Sequence, residues 1–225
     1  MAFDGFGALS GGAGVSLAVA TVFAVIYLPM AAGGAGPFRS LSKTLSVAFL
    51  ALAAALGGAP WLLVLALGLC AAGDFCLSQE SETSFMAGVG AFAAGHLAYV
   101  ALFLSIGESD PTRLISGAGP AFVAGFAVVG LFMAWLLAPR AGDLKVAVLA
   151  YVPIILAMGV AALTLPPVAG FALVLPAALA FMASDITLAF ETFVLAEDHP
   201  ARRATPYAVW PLYWGAQAAF LLAFS

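Results

Sequence analysis

Charge is what this sequence has least of. Asp, Glu, Lys and Arg together supply 8% of its 225 residues, where soluble domains carry about 25%. That excludes a soluble globular domain. Seven Lys and Arg in all cannot build a stripe that tracks phosphates, so nucleic acid is excluded as a partner. The two histidines, His96 and His199, fall short of the roughly three ligands that a His-based zinc hydrolase site needs. The only lysines, Lys43 and Lys145, stand at helix starts, which leaves no retinal-type Schiff base inside a late span. The two cysteines, Cys70 and Cys76, share one apolar run and read as small core residues rather than a disulfide framework. No metal and no cofactor is expected. Residues 1–13, MAFDGFGALSGGA, hold no Lys or Arg. The basic start of a secretory leader is therefore missing, and the first apolar run is expected to stay as a span.

What the chain has instead is apolar surface: 64% hydrophobic side chains and a mean hydropathy of +1.14. Apolar runs fall at about 14–32, 42–57, 60–79, 84–105, 117–138, 144–164, 168–191 and 206–224. They do not alternate with a period of two, so barrel strands are excluded. The expected fold is all-α, a single polytopic membrane bundle of about eight transmembrane helices over residues 1–225. The loops at 33–43, 79–83, 139–145 and 192–205 hold Arg39, Lys43, Arg140, Lys145, Arg202 and Arg203, and the opposite side holds only Arg113. Positive-inside asymmetry then puts those loops in the cytoplasm and both termini outside. A bacterial inner membrane is the expected setting.

Two carboxylates interrupt this apolar background: Asp74 in AAGDFCL and Asp185 in MASDITL. The contexts lie four helices apart, which would suit a parallel four-plus-four repeat, although the match is short. A mid-span Asp costs ~2.5–3.5 kcal/mol to insert, so it normally faces a partner or a wet cavity. Counted from the cytoplasmic helix ends at ~1.5 Å per residue, Asp74 lies about 7 Å and Asp185 about 9 Å inside. Two level carboxylates on different helices suit a two-carboxylate site; singly, each could serve as a helix-locking acceptor. Other polar groups fall on the same layer. His96 and Tyr99 are i, i+3 on one helix face, Tyr151 lies two turns into its helix, and Tyr213 and Gln217 are i, i+4. Ser184 could meet His96, but neither AFMASDIT nor AAGHLAY is a nucleophile elbow. The Gly-x-Gly-Asp motif of intramembrane aspartyl proteases reads Ala71-Ala72-Gly73-Asp74 here, and their Pro-Ala-Leu element is absent.

These motifs resemble the YhhN-type lysoplasmalogenases. The likeness runs through Gly73-Asp74, FMAGVGAFAAGHLAYVALF with Phe92, His96 and Tyr99, ALAFMASDITLAFETF with Ser184 and Asp185, and YWGAQAAF with Tyr213 and Gln217. It covers most of the chain. Glu191 stands where that family usually has Asn, and Lys43-Thr44 where it usually has Lys-Pro. The resemblance implies hydrolysis of the vinyl ether of a lysophospholipid-type ether lipid, with Asp74 and Asp185 catalytic. His96, Tyr99, Tyr151, Tyr213 and Gln217 would orient water and the ether oxygen. Ser184 and Glu191 would lie at the substrate, and Lys43 would take the phosphate. The residue chemistry suits that reaction: a neutral acid must protonate the β-carbon and a carboxylate must assist water, as in glycosidases. Loss of water around a carboxyl group, or a second carboxylate nearby, favours the neutral acid. The competing expectation is a small transporter or proton-coupled channel that uses the carboxylates as a relay. A structural or regulatory role is the blandest reading.

Overall fold

The computed structural model describes residues 9–225; the expectation about a leader concerns in part residues 1–8, which lie outside the described residues. Eight α-helices follow one another: α1 Gly11–Tyr27, α2 Pro37–Leu56, α3 Trp61–Leu77, α4 Glu82–Ser105, α5 Gly119–Leu137, α6 Lys145–Leu163, α7 Val174–Phe193 and α8 Thr205–Ala223. There is no strand among the described residues. Among the described residues, six segments are long and apolar enough to cross a membrane. Helix α3 is apolar but only 17 residues long, and α8 carries Pro206, Tyr207, Pro211, Tyr213 and Gln217, which lower its hydropathy. The chain is an integral membrane protein. Its outward side chains fit lipid rather than water: Leu131 is 73% and Trp135 71% exposed on α5.

Local chemistry sets the helix ends. Pro37 opens α2 at a position where a missing N–H is no loss. Ser81 caps α4, its side chain accepting from the Ser84 amide at 3.0 Å, and Glu82 complements the positive end of that helix. Helix α2 starts at Pro37, earlier than the apolar run at 42, because its first two turns carry Arg39, Ser40, Ser42 and Lys43. Helix α7 starts later than 168, because Ala169–Leu173 winds as a 3-10 turn.

Six helices close a ring. Helix α2 packs on α3, α3 on α4, α4 on α6, α6 on α7, α7 on α8, and α8 back on α2. Helices α1 and α5 stand outside it, α1 against α2 and α5 against α6. This order repeats after four helices, since α1 through α4 make the same sequence of neighbours as α5 through α8. The short likeness between the two Asp contexts thus coincides with a repeat in packing. Glycine permits the closest approaches. A Cβ on Gly73 of α3 would stand 2.6 Å from the Phe92 ring of α4, and one on Gly95 would stand 2.9 Å from Cys70 Sγ. All six basic residues outside the Arg113 loop lie at one end of the ring, called here the basic end.

Candidate active site

A cavity of about 310 Å³ runs from the basic end, occupying the ring interior and reaching out between α6 and α7 to α5. Counted along the helices, its deepest wall residues on α6 and α7, Leu156 and Met182, each lie eleven residues from their helix ends, about 16 Å at 1.5 Å per residue. Most of the wall is apolar, notably Met133, Val152, Ile155, Met182 and Ile186 from α5, α6 and α7. Beyond that depth the bundle is filled with buried rings. Tyr99 packs on Phe220 at 4.4 Å between centroids, and Phe103 on Phe224 at 5.8 Å. The cavity is therefore blind, ending near the middle of the bundle.

Five charged side chains line it: Arg39, Lys43, Asp74, Asp185 and Glu191. Asp74 is fully buried. Its Oδ2 accepts from Tyr213 Oη at 2.7 Å, and Lys43 Nζ lies 3.0 Å from Oδ1. The latter is an ion pair by distance, with angles outside those of a hydrogen bond. Asp185 has different company. Tyr151 Oη donates to its Oδ2 at 3.1 Å, and His96 Nε2 stands 3.5 Å from the same oxygen. His96 Nδ1 lies 2.7 Å from the Phe92 carbonyl oxygen. A carbonyl only accepts, so Nδ1 carries a proton, and Nε2 stands beside Asp185 without hydrogen-bond geometry to it.

The packing repeat explains how the two acids come together. Asp74 takes one partner from the helix before its own, Lys43 of α2, and one from the last helix of the other half, Tyr213 of α8. Asp185 does the same, with Tyr151 of α6 and His96 of α4. Lys43 and Tyr151 are even the same residue, the seventh, of their helices. Two equivalent positions thus carry carboxylates with unequal partners, a lysine ammonium and a tyrosine for one, a tyrosine and a histidine for the other. Phe181 sits between the two clusters, 4.4 Å from the His96 ring and 5.2 Å from the Tyr213 ring.

Counting from helix ends gave the two acids nearly equal depths. The real ends place Asp74 about one turn from the end of α3 and Asp185 about two turns from the end of α7. Helix α8 is a better ruler. Ser184, next to Asp185, donates to the Val209 carbonyl at 3.1 Å. Tyr213, one turn deeper, leans back toward the start of α8, as helical side chains do, and its hydroxyl meets Asp74. The two acids are level because α3 stops short.

Of the other expected site residues, Lys43, Tyr151, Ser184, Glu191 and Tyr213 line the cavity with the two Asp. His96, Tyr99 and Gln217 do not. His96 stands behind Asp185. Tyr99 Oη donates to Gln217 Oε1 with both residues fully buried. The Gln217 NH2 lies beside Cys70 and Tyr213 without hydrogen-bond geometry to either. This pair ties α4 to α8 one layer below the cavity. Sequence reading missed Arg39 as a lining residue. Its signal was its place four residues before Lys43, on the same face of α2.

Fold and site together define a class: a polytopic helical membrane protein with a blind, carboxylate-bearing cavity open at its basic end. The chain belongs to the YhhN family, whose model matches residues 38–224, from the first turn of α2 to the end of α8. No curated protein and no solved structure matches it.

Proposed function

We propose that the protein is a membrane hydrolase that cleaves the vinyl ether of a lysoplasmalogen-like lysophospholipid to a fatty aldehyde and a glycerophospho-alcohol. The observation that carries this reading is the pair of carboxylates with unequal partners in one apolar, blind cavity. Lys43 beside Asp74 favours its ionised form. Asp185 faces Tyr151 and His96 with no lysine or arginine against it among the described residues, and beside a neutral His96 it would serve as the carboxylic acid. In this scheme Asp185 gives its proton to the β-carbon of the enol ether, leaving an oxocarbenium ion. Asp74 takes a proton from water as the oxygen attacks that ion, giving a hemiacetal. Asp74 then returns its proton to the glycerol oxygen as the C–O bond breaks, and Asp185 takes the hemiacetal hydroxyl proton as the aldehyde forms. Both acids end as they began, and one water is consumed. Tyr151 and Tyr213 orient the two carboxyls, and His96 acts on Asp185 from behind.

Family membership supports this reaction class, and the blind end of the cavity argues against the transporter reading, which needs a path between both faces. The charge asymmetry supports a cytoplasmic basic end with the termini outside. To test the chemistry, purified protein is incubated with alkenyl, alkyl and acyl lysophospholipids, and aldehyde or fatty acid is followed by mass spectrometry. Only the alkenyl lipid should yield aldehyde. Asp74→Asn and Asp185→Asn should fold normally and lose at least ~10²-fold in turnover, the lower range for removing a general acid or base. His96→Gln should lose less. A well-folded Asp185→Asn protein with near-normal turnover would remove support from the mechanism.

A further inference from the structure

Each charge on the cavity wall can be asked what neutralises it. Lys43 answers Asp74, and Asp185 lies against Tyr151 and His96. Arg39 and Glu191 remain. The Arg39 guanidinium is held entirely by uncharged acceptors: Nε donates to the Met30 carbonyl at 2.9 Å, and Nη2 to the Ala31 carbonyl at 3.0 Å and to Tyr27 Oη at 3.1 Å. Its centre lies 5.4 Å from the Tyr27 ring centroid. These contacts orient the group and leave its charge uncompensated, and both Nη1 hydrogens have no hydrogen-bond partner among the described residues. Among the described residues the Glu191 carboxylate, on α7, accepts only from the Thr205 hydroxyl. Neither forms an ion pair among the described residues. Both stand near the basic end, Arg39 in the first turn of α2 and Glu191 in the last of α7.

A fixed guanidinium is a preorganised site for a phosphodiester, and a carboxylate suits an ammonium. We infer that Arg39 and Glu191 read the substrate's headgroup at the cavity mouth, Arg39 holding the phosphate and Glu191 a headgroup amine. The hydrocarbon chain then lies in the apolar branch between α5, α6 and α7. This inference rests on the lysophospholipid reading above and reassigns the phosphate from Lys43, whose ammonium is engaged by Asp74. It also accounts for Glu191, since a carboxylate there makes the headgroup amine a selected feature.

The test uses the full-length protein in detergent and three non-cleavable 1-O-alkyl probes: an alkylglycerophosphoethanolamine, an alkylglycerophosphoglycerol and a plain alkylglycerol. Affinities are measured by titration calorimetry and compared as ratios within each variant, so that a partly unfolded sample cancels. The wild type should bind in the order given. Arg39→Gln should cut the advantage of both phosphorylated probes over alkylglycerol by ~10-fold or more, as expected for a charge-assisted hydrogen bond. Glu191→Gln should leave that ratio intact and lower the preference for ethanolamine over glycerol by ~3–5-fold, the worth of a partly exposed ion pair. Equal wild-type affinity for all three probes, or ratios unmoved by either substitution, would overturn the pair. If Arg39→Gln fails to fold, the wild-type order and the Glu191 arm decide. Because the probes are not cleaved, the outcome is separable from the reaction. The expected ratios with no aldehyde from the alkenyl lipid would refute the hydrolase and keep the headgroup pair, and the reverse result would do the opposite.

Discussion

Lys43→Met isolates what the ammonium does for Asp74. Unit charges 3.0 Å apart attract by about 5.5 kcal/mol at an effective dielectric of ~20. Part of that attraction offsets the cost of taking Asp74, 0% exposed, out of water. With Lys43 gone, the carboxylate keeps one hydrogen bond, from Tyr213. Orphaning a buried ion costs about 3–5 kcal/mol. Lys43→Met should therefore be destabilised by an amount in that range, or Asp74 should take up a proton and cease to act as a base. Either way turnover falls. Adding Asp74→Asn removes the orphaned charge, so the double variant should be more stable than Lys43→Met alone by about 2–3 kcal/mol, a coupling typical of contacting groups, while remaining inactive. Reversible denaturant unfolding in mild detergent reads the stability, and aldehyde release reads the turnover. A Lys43→Met protein that matches wild type in both would refute the pairing argument. So would a Lys43→Met protein destabilised by that amount whose double variant is no more stable.

Two further perturbations probe the scaffold. Gly73→Ala puts a methyl 2.6 Å from the Phe92 ring, so α3 and α4 must part or the ring must turn. Since the Phe92 carbonyl holds His96 and its ring lies 5.7 Å from Tyr213, turnover should fall with a stability loss of about 1–3 kcal/mol; unchanged thermal stability and kinetics would contradict the packing account. For topology, a reporter that works only outside the cytoplasm, fused after Ser225, should be active, and a fusion active only in the cytoplasm would reverse the assignment.

The apolar runs were legible because a membrane span must satisfy its own backbone, which leaves length and hydropathy as sufficient signals. Helix ends were not: α2 begins with two polar turns that an apolar count skips, and α7 begins after a 3-10 turn. Asp74 and Asp185 stood out because an acid in a span is expensive, and their neighbours on the same layer could be named from helix spacing. Depth below the cavity floor could not. Tyr99 shares a face with His96, yet lies nearly one turn farther in, where it meets Gln217 rather than the cavity. Arg39 counted in the sequence only toward charge asymmetry. Its interest lies in having no carboxylate in ion-pair contact among the described residues, which is a property of three dimensions. The likeness of the two Asp contexts was too short to argue a repeat; the order in which α1–α4 and α5–α8 find their neighbours makes it visible.

The rings of Tyr99, Phe103, Phe220 and Phe224 have a bearing on bioenergetics as well as on shape. A bundle with ionisable groups at mid-depth is half of a proton wire. Here the other half is packed with aromatic rings around the buried Tyr99–Gln217 pair, so in the proposed site Asp74 and Asp185 would exchange protons with one compartment only. In a membrane that stores energy as a proton gradient, the proposed site would run its acid–base chemistry at the acidity of the basic-end compartment without short-circuiting the gradient. A substitution that opened that layer to water would threaten the host cell before it altered the reaction.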